Sequence, residues 1–194
     1  MRVLIRAFDR LIRWANGVFE FCDEGECLLR LQWARAPHDL HLSDGTQVRA
    51  GDPVLKLHLW NERVPPLGPV GSDLAWAANV RRRLIRSLRA AAQWLADQPG
   101  RADVRAFGGA TVLVSPGGEA GGLRLMQRLG FDVFPYRGPL ARFGEFWENL
   151  YTWGLMWTFN AASLRHRSLL RLRRAEVWVS AAELLARYGH PQEA

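Results

Sequence analysis

Lysine is almost missing from this 194-residue chain: of its 26 basic residues only Lys56 is a lysine, and the rest are arginine. Cysteine is nearly as scarce. Cys22 and Cys27 have four residues between them in "FCDEGEC", not the two of zinc knuckles and redox motifs, and no second cysteine pair exists to complete a thiolate zinc site. The spacing reads as two facing strand residues around an Asp23-Glu24-Gly25 turn, with a cross-strand disulfide left open. Long hydrophobic runs are absent as well. The uncharged stretch from Asn149 to Leu164 falls short of the ~20 apolar residues of a membrane span and is diluted by Thr152, Asn160 and Ser163. At the N-terminus "MRVLIRAFDRLIRW" carries a charge every three or four residues, which breaks any secretory hydrophobic region, so the expected location is cytoplasmic. There is no repeat, no low-complexity tract, no Walker A lysine and no dinucleotide fingerprint.

What is present suits one globular domain spanning 1–194. Hydrophobic residues make up 48% of the chain and charged residues 23%, enough of each for a sizeable core under a solvated surface. The formal net charge of +7 favours anionic partners: anionic lipid, phosphorylated ligands or nucleic acid. No nucleic-acid-binding motif accompanies the arginines, which places nucleic acid behind the others. The arginines fall into arcs. Arg2, Arg6, Arg10 and Arg13 share one side of an N-terminal helix whose other side carries Leu4, Phe8, Leu11 and Ile12; such a helix packs its apolar face on the core or lies on a membrane. Arg82, Arg86 and Arg89 share a face of a second helix over about 73–97, opposite Leu74, Val80, Leu84, Leu88, Ala91 and Leu95, with Ser72 as the expected N-cap.

Between these helices the chain alternates. "GVFEFCDEGECLLRLQW" reads as a hairpin, "SDGT" as a turn and "PVLKLHLWN" as a long strand after the Gly51-Asp52 break. Beyond the second helix, "ADVRAFGGATVLVSP" reads as two short strands or one bulged at Gly108-Gly109. "GGEAGGLRLMQRLG" is a short helix, "FDVFPY" a strand, and "EVWVS" a final strand before a helix with a Ser180/Glu183 capping box. The class is α+β, a mainly antiparallel sheet with packed amphipathic helices. The aromatic helical region 143–164 is either core or membrane-facing. The basic Arg165, Arg167, Arg171, Arg173 and Arg174 follow it at once, as in an interfacial anchor.

The most site-like place is the end of the long strand. Leu55, Leu57 and Leu59 face the core, Lys56, His58 and Trp60 the other side, and Asn61, Glu62 and Arg63 leave the sheet as polar groups able to grip a ligand. His58 is a candidate general base or ligand-orienting donor, beside a structural reading as a hydrogen-bonded histidine at the core's edge. His38 and His41 with His58 make a weak metal pattern, and no metal or cofactor is expected. Asp44 and Asp52 fit turn roles.

Three segments, "LSDGTQVRAGDPVLKLHLWNERV", "FGGATVLVSPGGEAGGLRLMQRLGFDVFP" and "RAEVWVS", resemble the bacterial YkoP-like domain family through Asp44-Gly45-Thr46, Gly51-Asp52, Leu57 to Asn61 and Leu129-Gly130-Phe131. Members of that family occur alone or attached to polysaccharide deacetylases. The resemblance, over about residues 5–185, implies an accessory or binding module near envelope glycans and supplies no catalytic residues. The reading is therefore a non-catalytic module whose partners are an anionic membrane surface or an envelope glycan, peripheral to the inner face of the membrane, with oligomeric state open. The alternative is a GNAT-like acyl-CoA-dependent acyltransferase, in which Gly117, Gly118, Gly121, Gly122 and Arg124 would hold the cofactor pyrophosphate.

Overall fold

The computed structural model describes residues 2–22, 25–66, 73–97, 103–112, 118–137, 141–159 and 174–189. Helix α1 (Arg2–Ala15) leads into β1 (Val18–Phe19) and β2 (Leu29–Arg35). A small hairpin follows, β3 (Leu40–His41) with β4 (Gln47–Val48), and then β5 (Pro53–Leu59) and one 3-10 turn at Asn61–Arg63. The second half runs α2 (Leu74–Ala96), β6 (Ala106–Val112), α3 (Gly118–Arg128), β7 (Asp132–Pro135), α4 (Ala141–Phe159), β8 (Arg174–Ser180) and α5 (Ala181–Tyr188). Six strands form one sheet in the order β1-β2-β5-β6-β8-β7. Every neighbouring pair is antiparallel except β5 and β6, which need the crossover that α2 supplies. The α+β class expected from the sequence is what the chain adopts.

Local chemistry explains the boundaries. Helix α2 is capped by Asp73, whose carboxylate accepts the Trp76 N–H at 2.7 Å, so the helix starts one residue later than a Ser72 cap would place it. The carboxylate also suits the positive end of the helix dipole. Ser180 caps α5 as expected, accepting the Glu183 N–H at 2.9 Å. The "AFGGATV" stretch is one continuous strand, with Gly109 at φ +140 in its middle.

The sheet has two unlike faces. On one, Leu29, Leu31, Leu55, Phe107, Val177 and Val179 pack against Leu84, Leu88 and Leu95 of α2 and Leu184 and Tyr188 of α5, each buried side chain contributing on the order of 2 kcal/mol. On the other, Ala34, Val54, Ala106 and Trp178 lie under the hairpin residues Leu40, Leu42 and Val48. Beyond this smaller cluster the second face turns polar.

Cys22 and Cys27 lie outside the strands and are joined by a disulfide. Such bonds persist where thiols are kept oxidised and open where they are not. The closed loop is short, so reduction is expected to cost only about 2 kcal/mol, a modest shift in denaturation midpoint with and without reductant.

Candidate functional site

The polar half of the second face is laid out in cross-strand rows. One row is Gln32, Lys56, Gly108 and Trp178; beyond it Arg30 pairs with His58 in one half of the sheet and Ala110 with Glu176 in the other, with no pairing between His58 and Ala110. Strand alternation places Lys56 and His58 here because Leu55 and Leu57 point to the main core. His58 Nε2 meets the Gln32 amide oxygen at 2.7 Å, which assigns the ring proton to Nε2 and leaves Nδ1 as an acceptor. Burial, reinforced by the charges of Lys56 and Arg30 and opposed by Asp9, lowers the His58 pKa to about 4. At neutral pH the ring is uncharged.

The strand exit closes on the protein itself. Arg30, 5% exposed, donates to Glu20 at 3.1 Å and to Glu62 at 3.2 Å, and its guanidinium lies 3.9 Å from the centroid of the Trp60 indole. Arg63 lies 3.3 Å from the same centroid, so the indole is sandwiched between two cations. Glu62 takes Arg13 on its other oxygen at 3.2 Å. Arg13 also donates to buried Asp9 at 2.9 Å, and Asp9 accepts the Tyr151 hydroxyl of α4 at 2.6 Å. Burial first, and the Asp9 carboxylate second, push the Tyr151 pKa upward, which keeps its proton in place as a donor. Asn61 is half-buried at the start of the 3-10 turn. What Glu62 and Arg63 grip is α1, β2 and the Trp60 ring.

That latch sets the roll of α1. Asp9 and Arg13 point inward with half-buried Ile5 and Ile12, while Val3, Phe8, Leu11 and Trp14 are 77%, 54%, 58% and 79% exposed. Phe8 and Leu11, expected to share one apolar side with Ile12, are thus turned to solvent, and Arg13, expected on an anionic surface, is turned inward. Arg6 and Arg10 remain exposed along the flank of the apolar arc, Arg6 reaching over the Phe159 ring at 5.3 Å. On α2, Arg82 is exposed beside Asn79, Arg86 pairs with Glu26 and Arg89 is half-buried. Arg165, Arg167 and Arg171 lie outside the described residues, as does the end of the aromatic stretch; from Asn149 to Phe159 only Leu150 is exposed.

A second polar cluster ties the hairpin to the sheet. Glu176, 3% exposed, accepts from His38 Nε2 at 2.9 Å, from the Trp178 indole N–H at 3.2 Å and from the Arg137 amide at 3.0 Å. His38 therefore faces Glu176, His58 faces Gln32 and His41 is exposed, three imidazoles with three separate surroundings. Asp44 accepts from Ser180 and Thr46; burial raises its pKa, but these hydrogen bonds outweigh burial and hold it below the ordinary value. It borders a shallow cavity of about 480 Å³ with Asp132, Glu183 and Arg187, which includes none of the strand-exit residues.

Sequence reasoning found the polar strand exit but not its partners. Gln32, opposite Lys56, carried a readable signal as the polar residue alternating with Leu31 in "LRLQW". Among the described residues no helix is long and apolar enough to cross a membrane. A family model described as the YkoP domain matches residues 2–188. Comparison with curated proteins and with solved structures gives no match.

Proposed function

The chain belongs to the YkoP domain family, and within it we propose that this protein is a non-catalytic binding module that attaches through α1 to an anionic membrane surface, at the inner face, in an envelope-polysaccharide setting. The observation that carries the reading is the roll of α1: Val3, Phe8, Leu11 and Trp14 form an exposed apolar arc edged by Arg6 and Arg10. A helix with this division lies in the headgroup plane, its apolar side chains entering the acyl boundary and its arginines meeting phosphates. Each arginine near an anionic surface adds about 1 kcal/mol. The net charge of +7 opposes self-association and complements anionic lipid, which favours the membrane over a second copy as the occupant of this face.

Flotation with neutral and anionic phospholipid vesicles tests the reading. Binding is expected to anionic vesicles, weakened by salt because the charge attraction is screened while apolar insertion is not. The double variant Leu11→Ser with Trp14→Ser, altering only exposed side chains, is expected to bind at least roughly tenfold more weakly at every salt concentration. Equal binding by the variant, or no binding by the native protein, refutes the proposal. A concentration-dependent dimer abolished by the same substitutions would assign the arc to a second copy instead.

Nothing in the comparisons favours the alternative reading, an acyl-CoA-dependent acyltransferase, although the sheet does open between β5 and β6. The parallel ladder between β5 and β6 covers only Val54 to Lys56 against Ala106 to Gly108, although both strands run on. The opening thus lies at the carboxyl ends of two parallel strands, where α/β sheets commonly take ligands. Of the glycines expected to cradle pyrophosphate, Gly118, Gly121 and Gly122 lie inside α3, and Gly117 lies outside the described residues.

A further inference from the structure

The opening between β5 and β6 has a chemical character of its own, independent of α1. We infer that Lys56 is the anion-binding point of a ligand site in this opening, for an extended ligand that carries a carboxylate or phosphate together with amide groups. Three features converge there.

The first is unmatched charge. The arginines of this face have partners: Arg13 has Asp9 and Glu62, Arg30 has Glu20 and Glu62, and Arg174 has Asn149 and Thr152. Lys56 is half-buried, and among the described residues no acceptor engages its ammonium. A cation held partly away from water gains from an anion more than one in open solvent does. The neighbouring His58 offers no negative charge, being neutral and itself repelled from protonation by Lys56.

The second is room. Gly108 and Gly109 stand on β6 next to Lys56, and a side chain begun at Gly109 would lie 3.8 Å from the Lys56 Cγ. With glycine there, the β6 side of the lysine stem is left bare. The third is unused hydrogen-bonding capacity. Past Lys56 and Gly108 the facing backbone edges of β5 and β6 no longer pair with each other, so a ligand amide can add to them as a strand would. His58 Nδ1 and the Gln32 amide nitrogen, neither engaged among the described residues, add an acceptor and a donor beside the ammonium.

Because Lys56 is the chain's only lysine, lysine labelled with carbon-13 at Cε gives one side-chain signal that reports the site directly. The protein, without vesicles, is titrated with N-acetylmuramic acid and with coenzyme A, against inorganic phosphate and sodium chloride at matched ionic strength. The expected result is a saturable shift of the lysine signal with one of the two larger ligands, with calorimetric binding lost in Lys56→Gln and kept in Lys56→Arg. Saturation by N-acetylmuramic acid identifies a sugar acid as the anion source, and saturation by coenzyme A a phosphate-bearing cofactor. Either outcome leaves the membrane reading untouched. Lysine shifts that stay linear and match the salt control for every compound overturn the site, as does unchanged binding by a folded Lys56→Gln.

Discussion

Gly108→Ala is expected to destabilise the protein by about 3 kcal/mol or more, a large fraction of what a domain of this size has to lose. Gly108 sits in the interior of β6, with Lys56 across one edge and Trp178 across the other. A methyl group there would press on the Val177 carbonyl oxygen and stand 2.6 Å from Trp178 Cε3 and 2.7 Å from Cδ2. Neither neighbour can yield cheaply. The carbonyl belongs to the sheet backbone, and the indole is 1% exposed with its N–H donated to Glu176, so moving the ring uncouples a donor from a buried carboxylate. Gly109→Ala provides the contrast. Its methyl finds open space, the nearest atom being 3.8 Å away, and the substitution carries chiefly the strain of φ +140, about 1 to 3 kcal/mol. Denaturant midpoints of the two variants check the difference; a Gly108→Ala protein as stable as the native one would mean that Trp178 is not held where the packing places it.

The limits of reading this fold from its sequence follow from where its contacts come from. Alternation in "LKLHLW" assigns faces correctly, because Leu55 is in the core and Lys56 and His58 are on the opposite side. Alternation does not say how far a face is covered: Leu59, in phase with Leu55, is 48% exposed. In α1 the amphipathic division was legible and the roll was not. Hydrophobicity alone turns the arc of Phe8 and Leu11 inward. The latch that turns it outward joins Arg13 to Glu62 across 49 positions and Asp9 to Tyr151 across 142, distances over which no local pattern carries information. The polar exit at Glu62 and Arg63 is legible in the sequence as a cluster of polar groups leaving the strand, read there as groups able to grip a ligand. Its partners, Arg13 and Arg30, are supplied by the fold itself. The split between β5 and β6 had no signature, because the parallel pairing is made across the whole of α2.

Stability is expected to decline as pH falls from about 6.5 toward 4, and His58 is expected to account for much of the loss. The sign follows from proton uptake. In the unfolded chain the imidazole titrates near its ordinary 6.5, whereas in the folded protein burial, with help from Lys56 and Arg30, lowers the value to about 4. Between those limits the unfolded state binds more protons, so acid favours unfolding; above 6.5 the stability is fully present, and below 4 no further loss comes from this group. The displacement corresponds to at most about 3 kcal/mol, and less to the extent that the half-buried ring keeps contact with water. Urea midpoints at pH 7, 6 and 5 would trace the slope. His58→Leu is expected to lower stability at pH 7, because the Gln32 amide loses its donor, and to flatten the slope through this window. An unchanged slope would assign the titration to other groups. Lys56→Met separates the causes, since removing that charge should raise the His58 pKa and shallow the slope without touching the ring. The same balance bears on ligand binding: an imidazole that stays neutral at pH 7 leaves Lys56 to hold an anion while Nδ1 accepts a hydrogen bond, whereas protonation near pH 4 would remove the acceptor and add a second positive charge.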